Sequence, residues 1–353
     1  MPPRRRKRLD PAAFDLPVER IRSGFYTDTY LVRAREIVRH DDRSPVVTLQ
    51  FSGKTEGWLS GIDEVIAILK LCAEDWNALT VHALYEGDRF ESWDTVLTVE
   101  GPYEAFGHLE TPCLGTLARR TRVCTNARLI AQAAQSKPVM VLGARDDSYL
   151  MQPGDGYSAM VGGVKVLTTE AQTSLSGGKI VATIPQALIA IYGGDAVQAV
   201  KRFAEAFDGP EILALVDYTN DSVKTSVDVA RALEGRLWGV RLDTAETMVD
   251  RSVVSQMGGF KPTGVNPNLV WNVRNALDAE GFGEVKIVAS GGFDAHRIAE
   301  FEEDGVPVDA YGVGAALFDG RFDFTADIVR VNGNAEAKAG RSLRPNPRME
   351  RVK

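Results

Sequence analysis

A chain of 353 residues can bury a large core and is expected to form two domains. Its 44% hydrophobic and 25% charged content is that of a soluble globular enzyme, and a net charge of −7 argues against general nucleic-acid binding. No apolar stretch is long enough to span a membrane and the N-terminus lacks a signal-peptide core, so a cytoplasmic protein with no membrane partner is expected.

The chain opens on a basic run, Arg4 to Arg8, which reads as a solvated, flexible end; a nucleic-acid tail is the alternative. A first domain, 1–137, has the texture of an α/β layer. Residues 46–51 alternate as a strand and 63–72 follow a helical period. Short strands are predicted at 81–85 and 96–99, then a long helix at 108–134. Cys72, Cys113 and Cys124 lack CxxC pairing and read as reduced thiols, and the histidines show no metal-ligand spacing.

From Pro138 the pattern changes to apolar runs, each closed by a polar or glycine residue. Runs at 139–144, 212–216 and 238–242 end at Arg145, Asp217 and Asp243. Runs at 285–289 and 308–311 end at Ser290-Gly291-Gly292 and Gly312-Val313-Gly314. Amphipathic helices at 196–207, 222–233, 268–279 and 294–303 lie between or after them. The alternation gives about six or seven parallel βαβ units, an irregular and incomplete (β/α) barrel over 138–320. A last strand at 328–331 is expected to return to the first domain, with residues from 341 onward loosely ordered, in an extension covering 321–353.

The chemistry gathers at the strand ends, the catalytic face of such a barrel. A glycine turn after a buried strand brings backbone N–H groups close to an anion, so both turns are candidate phosphate sites; ordinary turns needing positive φ are the alternative. Arg241 and Asp243 share one strand face by the two-residue period. Arg241 suits a carboxylate or phosphate and Asp243 suits ribose hydroxyls or Mg2+ waters, unless the two form only a buried ion pair. Asp217 is a second candidate for the acidic role.

These residues resemble the nicotinate phosphoribosyltransferases of the type II phosphoribosyltransferase fold. The likeness rests on Ser23-Gly24-Phe25-Tyr26-Thr27-Asp28-Thr29-Tyr30, Val99-Glu100-Gly101-Pro102-Tyr103, Gly143-Ala144-Arg145, Gly239-Val240-Arg241-Leu242-Asp243, Ile287 to Asp294 and Val308 to Gly314. It implies an α/β sandwich with a barrel, a homodimer or dimer of dimers with shared sites, and transfer of phosphoribosyl from phosphoribosyl pyrophosphate with Mg2+. It places the base on Arg145, with Asp146-Asp147 as that arginine's plainer partners. It stacks Tyr26, with Phe25, on a pyridine from the other subunit; simple core aromatics of an N-terminal helix are the alternative. Thr27, Lys165, Thr168 and Gln186 are further candidate substrate contacts. Arg119, with Arg120 and Arg122, would reach pyrophosphate across the dimer or form a solvated basic face.

The chain departs from this family in three places. Relatives carry a phosphorylated histidine where this chain reads Gln186, whose amide cannot become a phosphoenzyme, so ATP coupling is not expected. Lys165 stands where a family aspartate lies near the base, and Asp146 replaces a second basic residue. Three readings follow: an uncoupled or weakly coupled nicotinate phosphoribosyltransferase, an enzyme of the same fold using another base, and a non-catalytic phosphoribosyl-binding protein.

Overall fold

The computed structural model describes residues 6–181, 183–207, 212–233 and 235–352. The chain divides into two units: one holds residues up to Arg128, Tyr157–Gly162 and Asp319 onward, the other Leu129–Gly156 and Gly163–Phe318. The division falls at Arg128 rather than at 137, inside a continuous helix, and the stretch Tyr157–Gly162 rejoins the first unit.

In chain order, the early elements are α1 (Thr29–His40), β1 (Val46–Gly53), α2 (Ile62–Cys72), β2 (Thr80–Ala83), β3 (Thr95–Pro102) and α3 (Glu110–Ala133). Then come β4 (Val139–Val141), α4 (Gln152–Gly162), β5 (Val166–Leu167), β6 (Lys179–Ile180), α5 (Gln186–Ile191), α6 (Ala196–Ala206) and β7 (Ile212–Leu215). After these run α7 (Ser222–Leu233), β8 (Leu237–Leu242), α8 (Pro267–Ala279), β9 (Lys286–Ala289), α9 (Ala295–Glu303) and β10 (Ala310–Val313). The chain closes with β11 (Phe324–Val331), β12 (Asn334–Ala335) and β13 (Glu350–Arg351).

The first unit is built on an antiparallel sheet of order β12-β11-β1-β3-β2-β13. Strand β1 alternates as its sequence requires: Val47, Leu49 and Phe51 enter a core with Val65, Leu69, Leu97, Val99 and Leu117. Thr48, Gln50 and Ser52 face the other way yet are also buried. The C-terminal segment, expected to be loosely ordered, contributes to this, because it straps across the sheet. Gln50 Oε1 accepts the Arg344 N–H at 2.7 Å, Thr95 Oγ1 donates to the Arg344 carbonyl at 2.6 Å, and Asn346 donates to the Thr95 carbonyl at 2.8 Å. Arg341 and Arg344 flank the Trp93 ring at 5.0 and 5.6 Å, and β13 then pairs with β2. Polar backbone finds partners here that composition does not announce.

The basic N-terminal run is likewise not simply solvated. Arg4 and Arg5 lie outside the described residues, but Arg8 donates to the buried Asp63 carboxylate at 3.0 Å and stacks on Tyr85 at 4.1 Å. Arg6 reaches the Met160 carbonyl at 3.3 Å.

The second unit is a curled sheet of parallel strands in the order β6-β5-β4-β10-β9-β8-β7. A parallel bridge, Thr183 to Leu213, joins the chain beyond one edge strand to the other edge. Strands β4, β7 and β10 are buried along their whole length, which explains why they read as unbroken apolar runs. One face gathers Met140, Leu213, Val288 and Ala310. Strand β10 starts two residues later than the apolar run suggests, so Gly312 lies inside it.

Candidate functional site

Parallel strands all point their carboxyl ends to one edge, so Arg145, Thr168, Asp217, Asp243, Ser290 and Gly314 follow their strands at the same rim. Period two carries Arg241 and Asp243 to one face, and they meet: Arg241 Nη2 donates to Asp243 Oδ2 at 2.7 Å. Arg241 Nε also donates to Ser290 Oγ at 2.9 Å. The Ser290 hydroxyl in turn faces the Leu242 carbonyl at 2.9 Å and Asp243 Oδ1 at 2.8 Å. Arg241, only 14% exposed, is thus held in an internal ion pair, and its charge fixes the Asp243 carboxylate.

Asp217 stands at the end of the neighbouring strand β7. Its Oδ1 is buried without a hydrogen-bond partner among the described residues. Burial, and then the nearby Asp243 charge, raise its pKa to about 6. The loop behind it is anchored by a residue that sequence reasoning missed. Buried Asp250 accepts the Ser222 N–H and hydroxyl at 2.9 and 2.7 Å and the Ser252 N–H and hydroxyl at 2.9 and 2.8 Å. A carboxylate taking four donors fixes the β7–α7 connection against the β8–α8 loop.

The two glycine turns differ. Gly291 and Gly292 both have positive φ, +85° and +72°, the left-handed backbone that glycine adopts without strain. Among the described residues, no acceptor takes the N–H groups of Gly291, Gly292 or Phe293. The second turn needs no positive φ: Gly314 sits at φ −114°, ψ −106°. There a Cβ would come within 2.8 Å of Asp146 Oδ2, so a side chain would push the exposed Asp146 carboxylate aside. The carboxylate that replaces the family's second basic residue therefore stands directly over Gly314.

A further residue that sequence reasoning missed secures the first turn. Arg297 Nη1 donates to the Gly291 carbonyl at 2.8 Å and the Gly292 carbonyl at 3.3 Å, while Nη2 donates to the Val265 carbonyl. The guanidinium also stacks on Phe293 at 4.3 Å. The only local signal was its place three residues after the helix-capping Asp294, whose carboxylate accepts the Arg297 N–H at 2.8 Å.

The remaining candidates divide. Arg145 is exposed and makes no ion pair with Asp146 or Asp147 among the described residues. Gln186 is exposed at the first position of α5, while Ala182 before it lies outside the described residues. Thr168 Oγ1 donates to the Val141 carbonyl at 3.0 Å and so ties β5 to β4. Lys165 precedes β5 beside the start of β4, at the opposite end from the rim, which removes it from the strand-end constellation.

In the first unit, Phe25 and Tyr26 are 64% and 43% exposed, packed edge to face in a turn before α1, so they are neither core nor helical. Thr27 Oγ1 donates to the His108 carbonyl at 2.7 Å, a structural contact. Of the arginines on α3, Arg120 pairs with Glu64 at 2.8 Å and Arg122 donates to the Gly320 carbonyl at 3.2 Å, while Arg119 is partly buried. The solvated basic face fails for Arg120 and Arg122.

Comparison with known proteins assigns this architecture to a family. A model of the quinolinate phosphoribosyl transferase N-terminal domain matches residues 27–121. A nicotinate phosphoribosyltransferase of Mycobacterium tuberculosis is 27% identical over 250 residues, 69% of this chain and 51% of the relative, so the chain spans about half that protein's length. The crystal structure of human nicotinic acid phosphoribosyltransferase shares the fold, with a TM-score of 0.69 and 16% identity over 88% of this chain and 76% of that one. The crystal structure of nicotinate-nucleotide pyrophosphorylase from Pyrococcus furiosus superposes with a TM-score of 0.80 and 33% identity, covering 94% of this chain and 82% of that one. With an antiparallel sheet unit, a curled parallel sheet and this degree of identity to the Pyrococcus furiosus protein, the chain belongs to the family that joins that nicotinate-nucleotide pyrophosphorylase to the nicotinate phosphoribosyltransferases, on the type II phosphoribosyltransferase fold.

Proposed function

We propose that this chain transfers phosphoribosyl from phosphoribosyl pyrophosphate to a pyridine carboxylate, yielding a mononucleotide and pyrophosphate in NAD biosynthesis. The observation that carries the reading is the run of N–H groups at Gly291, Gly292 and Phe293 without acceptors among the described residues, near a half-buried acidic pair, Asp217 and Asp243. A phosphate monoester satisfies such donors, and the N-terminus of α9 adds a favourable dipole. Asp217 and Asp243 are a suitable pair for Mg2+ arriving with the substrate, since that ion keeps its waters and needs only one or two protein carboxylates. It would neutralise the departing pyrophosphate. The protein's own part is to stabilise positive charge developing at ribose C1 and to hold the reactants in line. Arg145, exposed and uncommitted to an ion pair, is the candidate to grip the base carboxylate. Tyr26, exposed on the first unit, is the candidate to stack on the base of a partner subunit in a homodimer or dimer of dimers. Gln186 supports transfer that is not driven through a phosphohistidine.

The Asp146 carboxylate over Gly314 favours a second reading, in which the base is not a simple pyridine carboxylate. One experiment decides between them. The protein is incubated with Mg2+, phosphoribosyl pyrophosphate and, separately, nicotinate, quinolinate, nicotinamide and purine bases, with and without ATP. Mononucleotide formation from nicotinate with equimolar pyrophosphate, unaltered by ATP, is expected. Product from another base alone would establish the second reading. Binding of ribose 5-phosphate with no product from any base would overturn both. ATP hydrolysis stoichiometric with product would overturn uncoupled transfer.

A further inference from the structure

Arg297 lies outside the strand-end constellation, yet both terminal nitrogens of its guanidinium are engaged with the backbone around it. It holds the carbonyls of Gly291 and Gly292 on its own turn and that of Val265 on the β8–α8 loop. In a planar trans peptide, the C=O of one residue and the N–H of the next point in opposite directions. Fixing the Gly291 carbonyl therefore fixes the Gly292 N–H on the far side from Arg297, and fixing the Gly292 carbonyl does the same for Phe293. Those are two of the three donors left without an acceptor.

We propose that Arg297 is a positioning residue for the anion-binding turn, holding the Gly292 and Phe293 N–H groups turned out as a preformed receptor for the 5-phosphate of the phosphoribosyl group. Glycines with positive φ are otherwise free to flip, and a turn that had to be ordered by its ligand would bind more weakly. The planar fork suits the task, because one rigid group reaches several carbonyls at once; an ammonium on a flexible stem does not reproduce that geometry. Stacking on Phe293 at 4.3 Å and contact with Phe301 at 5.9 Å keep the fork from swinging away. The Glu246 carboxylate lies against Gly292 on the same side and balances the half-buried charge.

The inference rests on the phosphoribosyl reading, and the test separates the two. A cleft of about 910 Å³ bordered by Glu246, Asn266, Gly292 and Arg297 opens beside the guanidinium, so a small cation can enter when the side chain is removed. Ribose 5-phosphate is titrated calorimetrically into the wild type, Arg297→Ala and Arg297→Lys, with thermal unfolding measured on each. Arg297→Ala is expected to lose about tenfold or more in affinity, and millimolar guanidinium chloride to restore most of it. Arg297→Lys should recover only part. In steady state, KM for phosphoribosyl pyrophosphate should rise while KM for the base stays unchanged. Wild-type affinity in folded Arg297→Ala, or both KM values rising in step, would overturn the assignment. If Arg297→Ala does not fold, Arg297→Lys carries the test, and undiminished affinity in it overturns the assignment. A wild type that binds no ribose 5-phosphate would refute the phosphate reading itself.

Discussion

A buried histidine in the first unit links one residue to the pH dependence of the whole fold. His108 is fully buried, and burial, reinforced by the Arg35 and Arg39 guanidiniums, lowers its pKa from 6.5 to about 4. A depressed pKa means that the neutral ring is favoured on folding. Its contribution is complete above pH 6.5 and is lost as pH falls toward 4, worth ~3 kcal/mol over that interval. Glu110 acts in the opposite sense: burial raises its pKa to about 7, so its cost grows as pH rises from 4.5. The difference between wild type and His108→Leu isolates the histidine. Chemical denaturation should find that the variant gains relative stability by ~3 kcal/mol between pH 7 and pH 4. A pH-independent difference would contradict the assignment. No feature of the sequence around His108 separates this residue from exposed His40 or His296, because burial depends on what packs over it.

At the scale of elements, helix and strand positions were largely legible, and so was the rim of strand-end residues. The helices α6, α7, α8 and α9 begin and end within a residue or so of their periodic patterns, since amphipathic spacing and capping are local. Capping by Asp195, Asn266 and Asp294 starts three of them. The C-terminal strap was not legible, because its Pro- and Arg-rich composition has no period. It is held by partners some 250 to 300 residues away, such as Gln50 for Arg344 and Thr95 for Asn346. Deleting residues from Arg341 onward would strand the polar face of β1 and remove the β13 pairing. At about 1 kcal/mol for each lost hydrogen bond, the deletion should destabilise the first unit by about 3 kcal/mol or more. Calorimetry should record a lower Tm for the truncated chain. An unchanged Tm would mean that the strap is only draped over the sheet.

At the scale of the whole molecule, assembly carries the next prediction. If Tyr26 of one subunit completes the site that Arg145 of another begins, chains carrying Tyr26→Ala and Arg145→Ala should each be inactive alone. Refolded together in equal amounts, they should form hybrids with one intact site each, giving roughly a quarter of wild-type activity. Native mass spectrometry would verify that hybrids form. Hybrids without activity, or full activity in a dilute monomer, would rule out a shared site.

What the sequence determined by itself is whatever a short window of residues encodes. It determined the alternation that pairs Arg241 with Asp243, the buried parallel strands and their polar ends, the glycine turn at Gly291-Gly292, and the absence of a phosphorylatable side chain at Gln186. What only the tertiary structure decided are the distances between segments far apart in the chain. It turned Arg241 inward onto Asp243 and Ser290, and left Asp217 Oδ1 without a partner among the described residues. It set Asp146 over Gly314, moved Lys165 away from the rim, and gave Arg297 the carbonyls of two loops. Hydrogen bonds and desolvation act over a few ångströms in space whatever the separation in sequence, so these features exist only once the strands have been brought side by side.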